Sequence, residues 1–190
     1  MPKLPAALAA AVLALAVAAA PAVAKQPARK AAATSPTIVD TVVALSGASA
    51  FDDAHGDFDI LREAVLATGL DGVLAGTGQF TVFAPTDQAF LDLTGASSEA
   101  AAFAAVAGLG LDTVATVLRY HVVRGGRTAE EVVPATRLRT LSRGFITKDA
   151  GSATLVDATG REVGISAPDA AVVANGVIHV IDGVLLPVAL

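Results

Sequence analysis

Apolar residues in the first half of the chain recur at steps of three and four. Ile38, Val42 and Leu45 keep this spacing within TIVDTVVAL, and Phe58, Leu61, Val65 and Leu66 repeat it, so each segment predicts a helix with one apolar stripe. Asp57 stands where a cap for the second helix belongs. A short helix or turn is expected from Gly69 to Ala75. The Ala-rich run Glu99 to Ala107 predicts a helix opened by Ser97 or Ser98 and closed by Gly108 and Gly110. Asp112 to Tyr120 is helical again, with Val114, Val117, Leu118 and His121 near one stripe.

Beyond Tyr120 the period changes to two. Val122-Val123, Arg137 to Leu141, Phe145 to Lys148, Ala153 to Val156, Glu162 to Ser166 and Ala171 to Val173 predict short strands separated by Gly, Asp or Pro. Asn175-Gly176 is a hairpin signal, and Val177 to Asp182 follows it as a further strand. Helices first and strands later predict an α+β domain. One strand stands apart. In QFTVFAPTDQAF, residues 79 to 90, Phe80 to Ala84 read as a buried strand that Pro85 ends. Thr86 then stands at an N-cap position and Asp87 in the first turn of a helix.

The first 36 residues do not belong to this pattern. Lys3, an apolar run from Leu4 to Ala20 and Ala22-Val23-Ala24 have the form of a secretory signal with its cleavage site. Residues 1–24 are therefore expected to be removed on export, leaving no membrane anchor. Residues 25–36, KQPARKAAATSP, read as a flexible leader, and 37–187 as one domain. The expected location is periplasmic or extracellular. The chain has no cysteine, so an exported domain must be held by its core and not by disulfides.

Charge is unevenly placed. Formal net charge is −5, or −6 once Lys3 leaves with the signal. Residues 38–118 carry eleven acids against Arg62, a net of −10, while residues 119–148 carry seven bases against Glu130 and Glu131, a net of +5. Overall acidity argues against nucleic acid as a partner. The basic middle either complements the acidic half or meets an acidic polymer.

Residues for chemistry are sparse. The histidines are His55, His121 and His179, without metal-ligand spacing, and the sequence has no nucleophile elbow, Walker loop or dinucleotide-binding fingerprint. No catalytic residue, cofactor or metal is expected. The loop Asp52-Asp53-Ala54-His55-Gly56-Asp57-Phe58-Asp59 gathers four carboxylates. It reads as an exposed acidic loop, with a weak calcium site as the alternative because hard cations want several oxygens.

QFTVFAPTDQAF, Tyr120-His121-Val122-Val123 and ANGVIHVIDGVLLP (174–187) occur in an order that resembles the three signature segments of the fasciclin domain, behind the TIVD opening at 37–40. The resemblance spans Thr37 to Pro187. It implies an α+β fold, a wedge or small sandwich of β-strands with a helical layer. It also implies adhesion or binding to a cell-surface or matrix component without catalysis. A self-associating structural or stress-related envelope protein is the alternative. In this family the tyrosine–histidine segment is linked to receptor binding, which makes Tyr120 and His121 candidate partner-binding residues; the other reading has them packing and bonding inside. Arg137, Arg139 and Arg143 fall on one side of a period-two pattern, and are candidates for an anionic polysaccharide. His179 shares a strand face with Val177 and Ile181 and is expected to be a buried, neutral, hydrogen-bonded residue.

Overall fold

Thr37 opens the first helix by a reciprocal bond. Its hydroxyl accepts the Asp40 N–H at 3.3 Å, and its own N–H donates to the Asp40 carboxylate at 2.9 Å, the capping-box arrangement that satisfies two orphan donors. The computed structural model describes residues 35–47, 51–52, 54–148 and 150–188. The expected signal sequence and all of the leader but Ser35 and Pro36 lie outside these residues. The helices are α1 (Ile38–Leu45), α2 (Asp59–Thr68), α3 (Asp71–Leu74), α4 (Asp87–Thr94), α5 (Glu99–Gly108), α6 (Leu111–Tyr120) and α7 (Ala129–Val132). Ser98 caps α5, accepting the Ala101 N–H. Among the described residues no single helix is long and apolar enough to cross a membrane.

The strands are β1 (Phe80–Pro85), β2 (Val122–Arg124), β3 (Arg137–Arg139), β4 (Phe145–Thr147), β5 (Thr154–Val156), β6 (Glu162–Val173) and β7 (Gly176–Ile181). They form one seven-stranded sheet in the order β2-β1-β7-β6-β5-β4-β3. Only the β1–β7 pair is parallel. The sheet curls until Val123, on one edge strand, bridges Thr140 just beyond the other. The expected wedge of strands with helices against it is therefore built from a single, nearly closed sheet.

β1 is buried along its whole length, because it separates two cores. Phe80, Val82 and Ala84 face the helices α1, α2, α4, α5 and α6 with Ile178 of β7. Phe83 faces the inside of the curl with Tyr120, Leu138, Ile146, Leu155 and Ile181. A strand buried on both faces reads as a continuous apolar run, which is what FTVFA is.

Three local expectations are corrected. Asp57 does not cap α2. That helix begins two residues later, and its first N–H groups are met from across the fold: Asp87 accepts from Asp59 N at 2.8 Å and Ile60 N at 2.9 Å. Thr86 has extended N-cap angles but its hydroxyl makes no capping bond. The start of α4 is met instead by carbonyls of the acidic loop, with Asp87 N donating to Asp57 O and Gln88 N to His55 O. Thr86→Ala is therefore expected to change stability by less than about 0.5 kcal/mol, the size usual for a surface substitution. A urea titration showing a loss of about 1 kcal/mol or more would restore the cap. Third, the strands expected at 162–166 and 171–173 are one strand, β6, whose register shifts between Ile165 and Ala171. Pro168 lies in the shifted stretch, and bulges are where a sheet accepts proline.

Candidate functional site

Tyr120 ends α6 and is fully buried. Its hydroxyl donates to Phe145 O at 2.6 Å, which ties the helix end to β4. Gly144 lies so close that an added Cβ would meet the Tyr120 ring at 2.9 Å. His121 is buried as well. Its Nδ1 faces Val117 O at 2.8 Å, and its Nε2 accepts the Leu185 N–H at 2.9 Å. Those partners assign the hydrogen to Nδ1. Neither side chain offers surface to a partner in this fold. Both hold the end of α6 against strands and the 184–186 segment.

Burial pulls the His121 imidazole down to about 4, against the Val117 carbonyl and the Asp157 carboxylate, which favour charge. The unfolded chain takes up this proton near 6.5. A lowered folded value gives stability that is complete above pH 6.5 and lost as pH falls through 4. The loss assigned to His121 is on the order of 3 kcal/mol. His121→Gln is expected to lose baseline stability and also to flatten the acid limb of a stability–pH curve, by up to about 1.4 kcal/mol per pH unit. An unchanged slope would show that His121 is not held neutral.

His179 is fully buried on β7, with its ring 5.5 Å from Phe83 and near-parallel to it. Burial lowers its imidazole below the ordinary value, outweighing the Arg127 carbonyl and the Asp169 carboxylate. Nδ1 accepts the Asp169 N–H at 3.0 Å and Nε2 bonds Arg127 O at 2.9 Å. Thr81 reaches the same loop from β1: its hydroxyl donates to Gly125 O at 2.6 Å and accepts the Arg127 N–H at 2.9 Å. Two buried side chains thus fix the turn between Arg124 and Arg127.

The expected arginines separate. Arg137 and Arg139 point outward from β3, and Arg137 stacks on Phe145, 3.4 Å above the ring centre. Arg139 and Arg143 instead line an open cleft of about 430 Å³ with Arg124 and Arg127. The turn from Arg139 to Phe145 is docked on β2 by Leu141 N donating to Val122 O at 2.7 Å and by the Val123–Thr140 bridge. None of these four guanidinium groups forms a salt bridge with a described residue. Sequence reading missed Arg124 and Arg127 as members of this group. The legible signal was RGGR at 124–127, two arginines astride a turn.

The fasciclin-domain family profile matches residues 56–187. The chain belongs to this family. A Synechocystis relative of the domain, protein sll1483, is 33% identical over 160 residues, 83% of this chain and 81% of the relative. Pig transforming growth factor-beta-induced protein ig-h3 is 32% identical over 130 residues, covering 68% of this chain and 18% of the relative. Mouse stabilin-1 is 34% identical over 125 residues, 63% of this chain and 4% of its own length. This chain therefore spans less than a fifth of the two animal relatives. The fold is shared with a fasciclin domain pair from the insect cell adhesion molecule fasciclin I, at a TM-score of 0.57 and 18% identity, over 79% of this chain and 50% of that one.

In this fasciclin domain the acidic loop is tied to the helices beneath it. Asp57, Asp87 and Glu99 bring carboxylate oxygens within 4.8 Å of one another, as do Asp52, Asp57 and Asp59. Asp59 accepts the Phe51 N–H at 2.6 Å and pairs with Arg62 at 3.3 Å. Glu99 lies 3.3 Å from the half-exposed His55. Burial and the neighbouring Asp57 push the Asp87 carboxyl up to about 7, against the two backbone N–H groups it accepts. Asp52 and residues 54–56 are exposed, as expected of the loop, while Asp59 at its end and Asp87 and Glu99 on the helices beneath are buried.

Proposed function

We propose that this chain is an exported, non-catalytic fasciclin domain that binds a component of a cell surface or matrix with its exterior. In this reading residues 1–24 are the export signal, 25–36 a leader and 37–187 the working domain. One observation carries it: the division of the charged and titratable side chains. His121, His179 and Asp87, which are buried, each bond backbone from another segment. Arg124, Arg127, Arg139 and Arg143 are exposed and without ion pairs among the described residues. The reactive types hold the frame, and the unpaired charge faces outward.

The adhesion role implied by the resemblance agrees with this division, and the fold relative fasciclin I is itself a cell adhesion molecule. The test is retention of the purified protein on envelope fractions of its native cells. Retention that high salt releases is expected, because screening acts on exposed charges. Turnover of an ester, glycoside or peptide panel that one substitution abolishes would contradict it.

Self-association has its own observation. Val43, Leu45, Leu66 and Val73 are each more than two-fifths exposed on the α1–α3 side, and Val43 and Leu66 line one apolar hollow. Light scattering that rises with concentration and is lost in Leu66→Asp would favour that second reading.

A further inference from the structure

The geometry points to the Arg124–Arg127–Arg139–Arg143 cleft as a site for a linear polysaccharide that carries an acidic group on successive sugars. This rests on the exterior-binding reading above and names the ligand class that the exterior would take. Four guanidinium groups arrive from the end of β2, the loop after it, β3 and the turn after β3. A single carboxylate or sulfate engages one or two such forks. Using all four needs a ligand with several anionic groups along its length. Val123, Thr140 and Leu141 complete the lining, and the Thr140 hydroxyl is already engaged by Ser142 and Gly144 O. The arginines are thus the donors that remain for a ligand. Guanidinium suits this role, being planar, always charged and weakly hydrated.

Backbone conformation gives an independent observation. Arg143 has φ +73°, a left-handed conformation that costs a side chain roughly 1 kcal/mol or more and that glycine takes freely. Such strain concentrates at working sites. Here it aims a guanidinium into the cleft, in a turn fixed by Arg143 N donating to Thr140 O at 3.1 Å. On the opposite wall the loop of Arg127 is fixed by His179 and Thr81. The cleft is therefore preorganised on both sides.

Other polyanions fit less well. No aromatic side chain lines the cleft, whereas single-stranded nucleic acid is held by stacking on aromatics. A long duplex would also meet the acidic half, residues 38–118, at net −10. A flexible saccharide chain can stay within the arginine end.

Titration calorimetry of the purified protein with three oligosaccharides tests this: oligogalacturonate, which carries carboxylates, a heparin oligosaccharide, which carries sulfates, and neutral dextran. At least one acidic oligomer is expected to bind and dextran not to bind, and which acidic arm is tighter assigns the acid group. Affinity should fall as salt shortens the Debye length from about 30 Å to 8 Å. Arg139→Ala and Arg143→Gly should each weaken binding about tenfold, the size of one lost charge-assisted bond. Arg161→Ala, an exposed arginine elsewhere, should leave it unchanged. Arg143→Gly should also keep or raise the melting temperature, which separates lost binding from lost folding. Wild-type affinity in an R124A/R139A/R143G variant would overturn the site. Equal binding of dextran, or tighter binding of a DNA oligomer, would overturn the ligand class. If neither acidic oligomer binds while envelope fractions still retain the protein, this inference fails and the exterior-binding reading stands. Loss of both defeats both.

Discussion

Asp87→Ala is expected to lower the free energy of unfolding by about 3 kcal/mol, because it leaves two buried backbone donors, Asp59 N and Ile60 N, without acceptors. Each unmet donor costs about 1–3 kcal/mol. Asp87→Asn keeps one acceptor oxygen and turns an NH₂ toward the other donor, so it should fall between wild type and alanine. Urea denaturation measures all three. A loss below about 1 kcal/mol in the alanine variant, within the range of an ordinary substitution, would mean that α2 meets its own first turn. The same side chain has a pH signature. A carboxyl raised to about 7 adds stability that is complete below its unfolded value near 4 and lost as pH rises through 7. It therefore opposes the histidines, whose contribution disappears as pH falls. Asp87→Ala should remove the neutral-side decline and leave the acid limb of His121 in place.

Gly176→Ala should do more damage still. An added Cβ would lie inside the contact radius of Phe80 O and 2.9 Å from Ile38 Cδ1. Phe80 and Gly176 are paired residues of the parallel β1–β7 ladder, so the clash cannot be relieved by a side-chain rotation. It pushes apart the strands that separate the two cores. A cost above about 3 kcal/mol is expected, at or beyond the upper end of overpacking penalties. The readout is loss of soluble folded protein or a melting temperature lower by more than about 10 °C. A folded variant with an unchanged melting temperature would mean that the two strands are farther apart than described.

Gly176 also shows how sequence can give a right element for a wrong reason. Asn-Gly predicts a hairpin through a turn with positive φ at both residues. The hairpin exists between β6 and β7, but neither Asn175 nor Gly176 has positive φ. Ala174 and Asn175 form the turn, and Gly176 is the first residue of β7. Asn175 is wanted for its side chain, which accepts the Ile38 N–H at 2.9 Å and donates to Leu74 O. Glycine is wanted for the close approach of Phe80 O. Both demands come from segments far away in the chain.

The same division runs through the rest of the molecule. Local chemistry was readable: the spacing of Ile38, Val42 and Leu45 announced α1, Ser97 or Ser98 ahead of an Ala-rich run announced α5, and the run FTVFA ended by Pro85 announced a buried strand. Tertiary exchanges were not. Asp87 sits at the start of its own helix and serves another, and Thr86 looks like a cap but is replaced by loop carbonyls. A four-residue helix, α7, is too short for periodicity to detect. For the candidate site, Arg139 and Arg143 were legible as basic residues on one side. Their association with Arg124 and Arg127 depends on the Val123–Thr140 bridge, which closes the sheet. Tyr120 and His121 were legible as a motif, but the motif does not say which way its side chains turn. They turn inward, and Tyr120 supports the turn that carries Arg143.

The central claim is that the exterior at the arginine end works, while the buried acids and histidines serve the frame. Its most direct measurement is an amide chemical-shift titration of the isotope-labelled protein with the tighter-binding acidic oligosaccharide. The shifts are predicted to gather at residues 122–128 and 138–145, around the cleft. Shifts gathered instead at Asp57, Asp87 and Glu99, with the arginine cleft silent, would contradict the account.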